Sequence, residues 1–556
     1  MDWEKVAADK RDSVLSLIPK EWQIPAPPST EQQRDVTGKF IQQYLSQKEI
    51  EITETDAPEI VKKASSGTWS SLEIAKAFAH RAAVAHQLVN CLHEIFFEDA
   101  FAAAQELDDY LKKHGKPKGA LHGLPISLKD QFHVKNVETH MGYVGWIGTF
   151  QGRKSTGKER VFESEMVKSF RSLGAVLYCK TSVPHTLMCG ETVNNIINYT
   201  WNPTNRNLSS GGSSGGEGAL LALRGSPVGF GTDIGGSIRI PAAFNGLYGL
   251  RPSTGRLPYQ GMANSFDGAP GVLSVVGPLA PSPSALKLVT QAVLSEQPWF
   301  HDPLVHELPY RPDVETETLR LAQSKQLVFG VLRHDGLCGL HPPVARAIEE
   351  TVAAVKKAGH KVVEWSPNPN HARLLEIVNK CWNFDGGRDA IRAFALSGET
   401  PGPQVIVPDV PDKEYTATEI METMVEKREA CKEYMEYWNE TQGQTGSGRP
   451  VDAVISPLAP FAAARPEKYT YYGYSVWVNV LDYTSVVVPV TRADKERDTL
   501  DKGYKALNEE FDKKTMESYD PEIYDGAHVA VQLVGRRLQE EKMLALADYV
   551  GGLLHS

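Results

Sequence analysis

Apolar and polar positions along this chain follow two rhythms, and their order predicts an α/β protein. Through residues 57–111 apolar residues recur at steps of three and four, in PEIVKKASSG, SSLEIAKAFAHRAAVAHQLVNCL and EDAFAAAQELDDYLKKHG. That spacing predicts amphipathic helices, and Gly115 and Pro117 stop the last of them. A short apolar run of strand length follows, GLPISLK at 123–129. Helix and strand then alternate: SEMVKSFRSLG (helix), AVLYCKTSV (strand), GALLALRGS (helix) and PVGFGTD (strand). Further on, QLVFGVLRHDG and KVVEWSP read as strands around the helix PPVARAIEETVAAVKKAGH, with Gly359 as its stop. Residues 415–440 form a charged helix, VDAVISP and SVVVPVT are strands, and AVQLVGR and LQEEKMLALADYVGGLL end the chain as strand and helix. The sum is a large mixed sheet between helices. The polar stretch GQTGSGRP, 443–450, is the best loop candidate. Residues 1–55 read as an N-terminal helical extension to a main body spanning 56–556, with helical stretches at 3–18 and 31–48 split by the turn-rich PAPP at 25–28.

Composition narrows the function. Hydrophobic residues make up 41% of the 556 and charged residues 23%, the balance of a globular chain with ample core. The net charge of −10 argues against nucleic acid as a partner, which calls for clustered Lys and Arg. The opening MDWEKVAADKRDSV is charged and lacks the apolar stretch of a secretory signal. The longest apolar runs, such as 486–490, fall far short of the ~18 residues needed to span a bilayer. Six scattered cysteines with no C-x-x-C pair read as free thiols in a reducing compartment. The expectation is a cytoplasmic protein with no membrane partner.

Few motifs survive scrutiny. GGSSG at 211–215 fits the G-x-S-x-G nucleophile elbow in form, but the elbow needs a buried strand before it, and TWNPTNRNLSS is polar and turn-forming. GRKSTGK at 152–158 resembles a phosphate-binding loop, yet presents Glu159 where a magnesium-binding hydroxyl belongs, so it reads as a solvated basic loop. The 16 histidines show no ligand spacing, and neither a metal nor another cofactor is expected. Lys129, after LHGLPISL, is either a snorkelling surface residue or a buried amine. If buried, desolvation lowers its pKa and makes it a candidate general base.

Three blocks carry a resemblance: GLPISLKD, GGSSGGEGAL and GTDIGGSIRIPAAFNGLYGLRPS, in that order. With the late VDAVISPLAP and the terminal GAHVAVQLVGRRLQEEKMLALA, the chain resembles the amidase signature family from about residue 57 to the end. Including WEKVAADKRDSVLSLIPKEW, it is similar to the fungal acetamidase branch. The resemblance implies a single large domain with a mixed central sheet of about 11 strands covered by helices on both sides. It implies a Ser-cisSer-Lys triad with Ser237 as nucleophile, Ser213 after a cis peptide bond as relay, and Lys129 as base. Ile234, Gly235, Gly236 and Ser237 would supply the oxyanion hole, with Ser214, Thr232, Asp233 and Arg239 in support; the first reading of the Asp233–Arg239 pair is a structural brace. Met188, Cys189 and Gly190 would lie beside the acyl group, with Tyr143 and Trp477 as walls.

This chemistry suits amides. A serine hydroxyl attacks only if a base takes its proton, and the departing nitrogen must be protonated. The implied partner is a small-molecule amide, acetamide and other short-chain or aryl amides first, with a homodimer allowed. Carbamates, esters and indole-3-acetamide stay open as substrates. A second reading is the A subunit of a tRNA-dependent amidotransferase; the extra N-terminal residues and the acidic charge stand against it.

Overall fold

The computed structural model describes residues 2–367, 370–405, 413–501 and 503–555. The central element is an 11-stranded mixed sheet in a single α/β domain. In chain order its strands are β1 (Leu92–Ile95), β2 (Pro125–Lys129), β3 (Val176–Thr181), then β6 (Gly229–Asp233), β7 (Tyr248–Arg251), β8 (Val275–Ala280), β9 (Val328–Val331), β10 (Lys361–Glu364), β11 (Ala453–Ser456), β12 (Ser485–Arg492) and β13 (His528–Val534). The two-residue strands β4 (Val193–Asn194) and β5 (Asn198–Tyr199) pair with each other apart from it. The spatial order is β1-β3-β2-β6-β8-β7-β12-β13-β11-β9-β10. Parallel pairing joins β2 to β3 and to β6, and β9 to β10 and β11. The remaining pairs are antiparallel.

Helices cover the sheet because their apolar stripes have nowhere else to go. The alanine-rich helix Ser71–Val89 is buried along most of its length, and Asn90 ends it in the left-handed region at φ 56°. The long strands β12 and β13, rich in valine, are buried on both faces, as a strand roofed by helices must be. Helix Gly215–Ala222 packs beneath β2, β3 and β6. The parallel register of β2 with β6 (Ser127 beside Gly229, Leu128 beside Phe230) brings their C-terminal ends together at Lys129 and Asp233.

The strand count and most assigned elements match the sequence reading. Four places differ, one of them the loop candidate 443–450, whose first residues belong to the short helix Gln442–Thr445. Residues 31–48 are not one helix: Gly38 at φ +54° breaks the chain, a four-residue helix Lys39–Gln42 follows, and Ser46 and Glu49 start a new helix, Gln47–Glu54, with a reciprocal capping box. The helical run over 57–111 is interrupted by β1, whose four residues carry no strand rhythm of their own. Strands β7 (YGLR) and β8 (VVGPLA) also go unassigned, because glycine interrupts the apolar run of each and proline that of β8. Among the described residues no helix is long and apolar enough to cross a membrane.

Candidate active site

Lys129 ends β2 with its side chain wholly buried, so it is not a snorkelling surface residue. Its Nζ lies 2.8 Å from Ser213 Oγ and 2.7 Å from Thr232 Oγ1. Burial lowers its pKa to about 7, although the Asp233 carboxylate pulls the other way, as Glu217 does when ionised. Thr232, near the end of β6, donates its own hydroxyl proton to Gln131 Oε1 at 2.7 Å. Gln131 is oriented in turn, because its Nε2 donates to Tyr259 Oη and Asn264 Oδ1. Ser213 stands in the turn before helix Gly215–Ala222, after a cis Gly212–Ser213 peptide bond.

Ser237 lies in the loop between β6 and helix Arg239–Phe244 and retains 8% of its surface exposed, the one member of the Lys129–Ser213–Ser237 set open to a pocket. It does not cap that helix: the N-cap is Ile238, and no side chain bonds there. The loop is held from below. Asp233 Oδ1 accepts from Gly236 N–H at 2.8 Å, Arg239 Nη2 at 3.0 Å and Asn479 Nδ2 at 2.8 Å. Oδ2 accepts from Ile238 N–H at 3.2 Å and Arg239 Nε at 3.0 Å. The pair is fully buried, and Arg239 holds the Asp233 carboxyl well below its ordinary range. Arg239 also donates to Gln532 Oε1 on β13 at 2.9 Å, and Ser475 Oγ donates to Gly235 O at 2.6 Å. Gly236, at φ +129°, takes a backbone conformation closed to other residues, and a Cβ there would meet Ile240 Cδ1 at 2.7 Å. Ser214 braces the same loop by donating its N–H to Ser237 O at 3.2 Å.

A cavity of about 40 Å³ reaches Ser237, with Met188, Cys189, Ile234, Trp382 and Tyr472 around it. Across Met188, Ile234 and Trp382 lies a larger cavity of about 350 Å³, mostly apolar, with Leu257, Leu273 and Cys381 in its walls. Two expected walls are elsewhere. Trp477 is wholly buried, stacked on His371 and Tyr434, and belongs to the core behind the site. Tyr143 is wholly buried among Trp146, His185 and Phe394; its Oη contacts Ser265 at 3.0 Å. Gly190 lies one layer back, its N–H on Tyr472 Oη at 2.8 Å. Trp382 and Tyr472 take those places beside Ile234, and only tertiary packing distinguishes these two rings from core aromatics. The bracing residues Gln131, Asn479 and Gln532 also escaped the sequence reading.

The discarded motifs fall as expected. Segment 152–158 is an exposed turn, and no strand runs directly into Gly211, the nearest being β5, which ends at Tyr199. Among the described residues one buried trio, His93, Asp130 and His140, brings three ligand atoms within 4.8 Å of one another. The Lys180 ammonium sits 2.6 Å from Asp130 Oδ1 and already supplies the positive charge there, which disfavours a metal cation.

A family model described as Amidase matches residues 73–544. Acetamidase of Emericella nidulans is 46% identical over 555 residues, covering 99% of this chain and 98% of that protein. Acetamidase of Aspergillus oryzae is likewise 46% identical over 555 residues, covering 99% of each. A solved structure of fatty acid amide hydrolase superposes with a TM-score of 0.88 at 32% identity, covering 100% of this chain and 95% of that one.

Replacing Arg239 by Ala leaves the Asp233 carboxylate buried without a cation, at a cost of about 3–5 kcal/mol. In the wild type the depressed Asp233 pKa makes its contribution present above the unfolded carboxylate value and lost only as pH falls. In the variant Asp233 takes up a proton on folding, so stability rises as pH drops from 7 toward 5. Urea unfolding at several pH values reads both; an unchanged midpoint at pH 7 contradicts the brace.

Proposed function

The chain belongs to the amidase family and is an amide-hydrolysing enzyme, and from that premise we propose that it works through an acyl-enzyme on Ser237, with Lys129 as base and Ser213 as proton relay. The observation that carries the reading is a lysine amine, wholly buried, in contact with the Ser213 hydroxyl. The hydrogen bonds around Thr232 support a direction for the relay. The Thr232 proton is spent on Gln131, so Thr232 must accept from Lys129. A neutral amine that donates to Thr232 can turn its lone pair to Ser213 and receive that hydroxyl's proton.

Ser213 then draws the proton of Ser237, whose oxygen attacks the amide carbon. The proton returns by the same route to the departing nitrogen, and water repeats the sequence on the acyl-enzyme. Among the described residues the N–H groups of Ile234, Gly235 and Ser237 have no protein acceptor, which suits them to the oxyanion. Gly236 spends its N–H on Asp233 and acts instead to fix the loop. Each oxyanion donor is worth about 3 kcal/mol in the transition state.

The cavity at Ser237, about 40 Å³, holds roughly three water-sized groups. That favours a small acyl group such as acetyl, in keeping with two relatives named acetamidase. The larger apolar cavity beyond Trp382 takes substrates with a bulkier apolar part. Residues 1–55 act on this reading as a helical extension to a catalytic body over 56–556, tied down by Lys10 against Glu94 and Glu138.

Purified protein is expected to release ammonia from acetamide, with Ser237→Ala inactive and Lys129→Ala reduced about 10²–10⁴-fold. Because Lys129 works as the neutral base, kcat/KM rises with pH through about 7 and then levels. Wild-type turnover in Lys129→Ala, or a flat profile from about pH 5 to 9, contradicts the assignment. Trp382→Ala is expected to raise the benzamide-to-acetamide ratio of kcat/KM about tenfold; an unchanged ratio removes Trp382 from the substrate path.

A further inference from the structure

Three carboxyl groups near the base are fully buried, and they differ in one respect. Asp233 has Arg239 at 3.0 Å, and Asp130 has Lys180 at 2.6 Å. Glu217, in helix Gly215–Ala222, has no such cation: among the described residues no Lys, Arg or His nitrogen comes within ion-pair distance of it. Its partners are two hydroxyls, Ser127 Oγ at 2.6 Å from β2 and Thr181 Oγ1 at 2.8 Å from β3. Ser127 and Lys129 are two residues apart on β2 and so project from the same face. An unpaired buried carboxylate is costly, and the group escapes that cost by holding a proton.

We propose that Glu217 is a positioning residue that works in its neutral, protonated form: it ties β2 to β3 beneath the base and, carrying no charge, denies the Lys129 amine a counter-ion. The inference rests on Lys129 being the base. Burial is the main cause of the lowered Lys129 pKa, and because an ionised Glu217 raises the proton affinity of the amine, a neutral Glu217 leaves that effect of burial unopposed from its side. The hydroxyls fit a protonated acid. Thr181 Oγ1 also lies 3.4 Å from Leu128 O, so it can donate there and accept from Glu217. Space is reserved for the carboxyl by Gly229 on β6, where a Cβ would fall 1.8 Å from Glu217 Oε2. Burial pushes the Glu217 pKa up to about 8, against the pull of the two hydroxyl bonds. The titratable groups that face it are Lys129 on β2, Tyr178 and Cys179 on β3, and Cys91 before β1. Burial raises the phenol and both thiols, so they stay neutral while Glu217 titrates.

Infrared spectroscopy of the whole enzyme, with the pH profile of kcat/KM, tests this. A carbonyl stretch of a protonated carboxylic acid is expected at pH 7, absent in Glu217→Gln, and titrating away above about pH 8. Glu217→Gln, also neutral, is expected to keep its acid limb near pH 7, because no anion has been removed. If no acid band disappears in Glu217→Gln, or if its acid limb falls by about one unit or more, Glu217 is ionised and the inference fails. Should Glu217→Gln not fold, Ser127→Ala is expected to move the same band by removing one hydrogen bond; an unmoved band overturns the proposal. A flat wild-type pH profile with the band present overturns the base assignment alone, whereas a normal acid limb with no band overturns the role of Glu217.

Discussion

A lysine amine sealed from water and held between two hydroxyls is the constraint around which this fold is arranged. Desolvation makes the uncharged form accessible near neutrality, and more so where a neighbouring anion is neutralised or kept at a distance. The parallel register of β2 and β6 places Lys129 against Thr232, and the turn ahead of helix Gly215–Ala222 delivers Ser213 to the same nitrogen. Gln131, fixed by Tyr259 and Asn264, settles which way the Thr232 hydroxyl points. Strand register, helix placement and hydroxyl orientation thus converge on one atom.

The same logic accounts for the ion pairs nearby. Arg239 neutralises Asp233, and through Asn479, Gln532 and Ser475 it binds the Ser237 loop to the middle of the sheet. That clamp spends the Gly236 N–H and, among the described residues, leaves those of Ile234, Gly235 and Ser237 without a protein acceptor. On the proposed reading a rigid loop matters because donors aimed in advance at developing charge cost no reorganisation when the charge forms. The core serves the site too: Trp477 and Tyr434 stack behind it, and Val476 lies 3.7 Å from where a Gly235 side chain would begin.

Much of this is legible in the sequence, for identifiable reasons. Strands such as 125–129 and 485–492 announce themselves because burial on both faces demands continuous apolar runs. The glycine-rich blocks are legible because few other residues fit where backbones and side chains approach so closely. Segment 31–48 misleads because its apolar spacing says nothing of Gly38 turning left-handed and Ser46 restarting the helix. Trp382 and Trp477 are the same side chain to a sequence reader; only the packing of distant segments makes one a cavity wall and the other core. Glu217 escapes notice because its meaning lies in what it lacks, a cation, and that is a fact of three dimensions.

The rate at which a fluorophosphonate labels Ser237, followed across pH in the wild type and in Lys129→Met, tests the central claim most directly, since it reads nucleophile activation without the later steps of turnover. The account predicts a wild-type rate that climbs as pH passes about 7 and then levels, with the climb gone and labelling slow in the variant. Equal labelling of both proteins, with no dependence on pH, would contradict a neutral buried lysine as the source of the serine's reactivity.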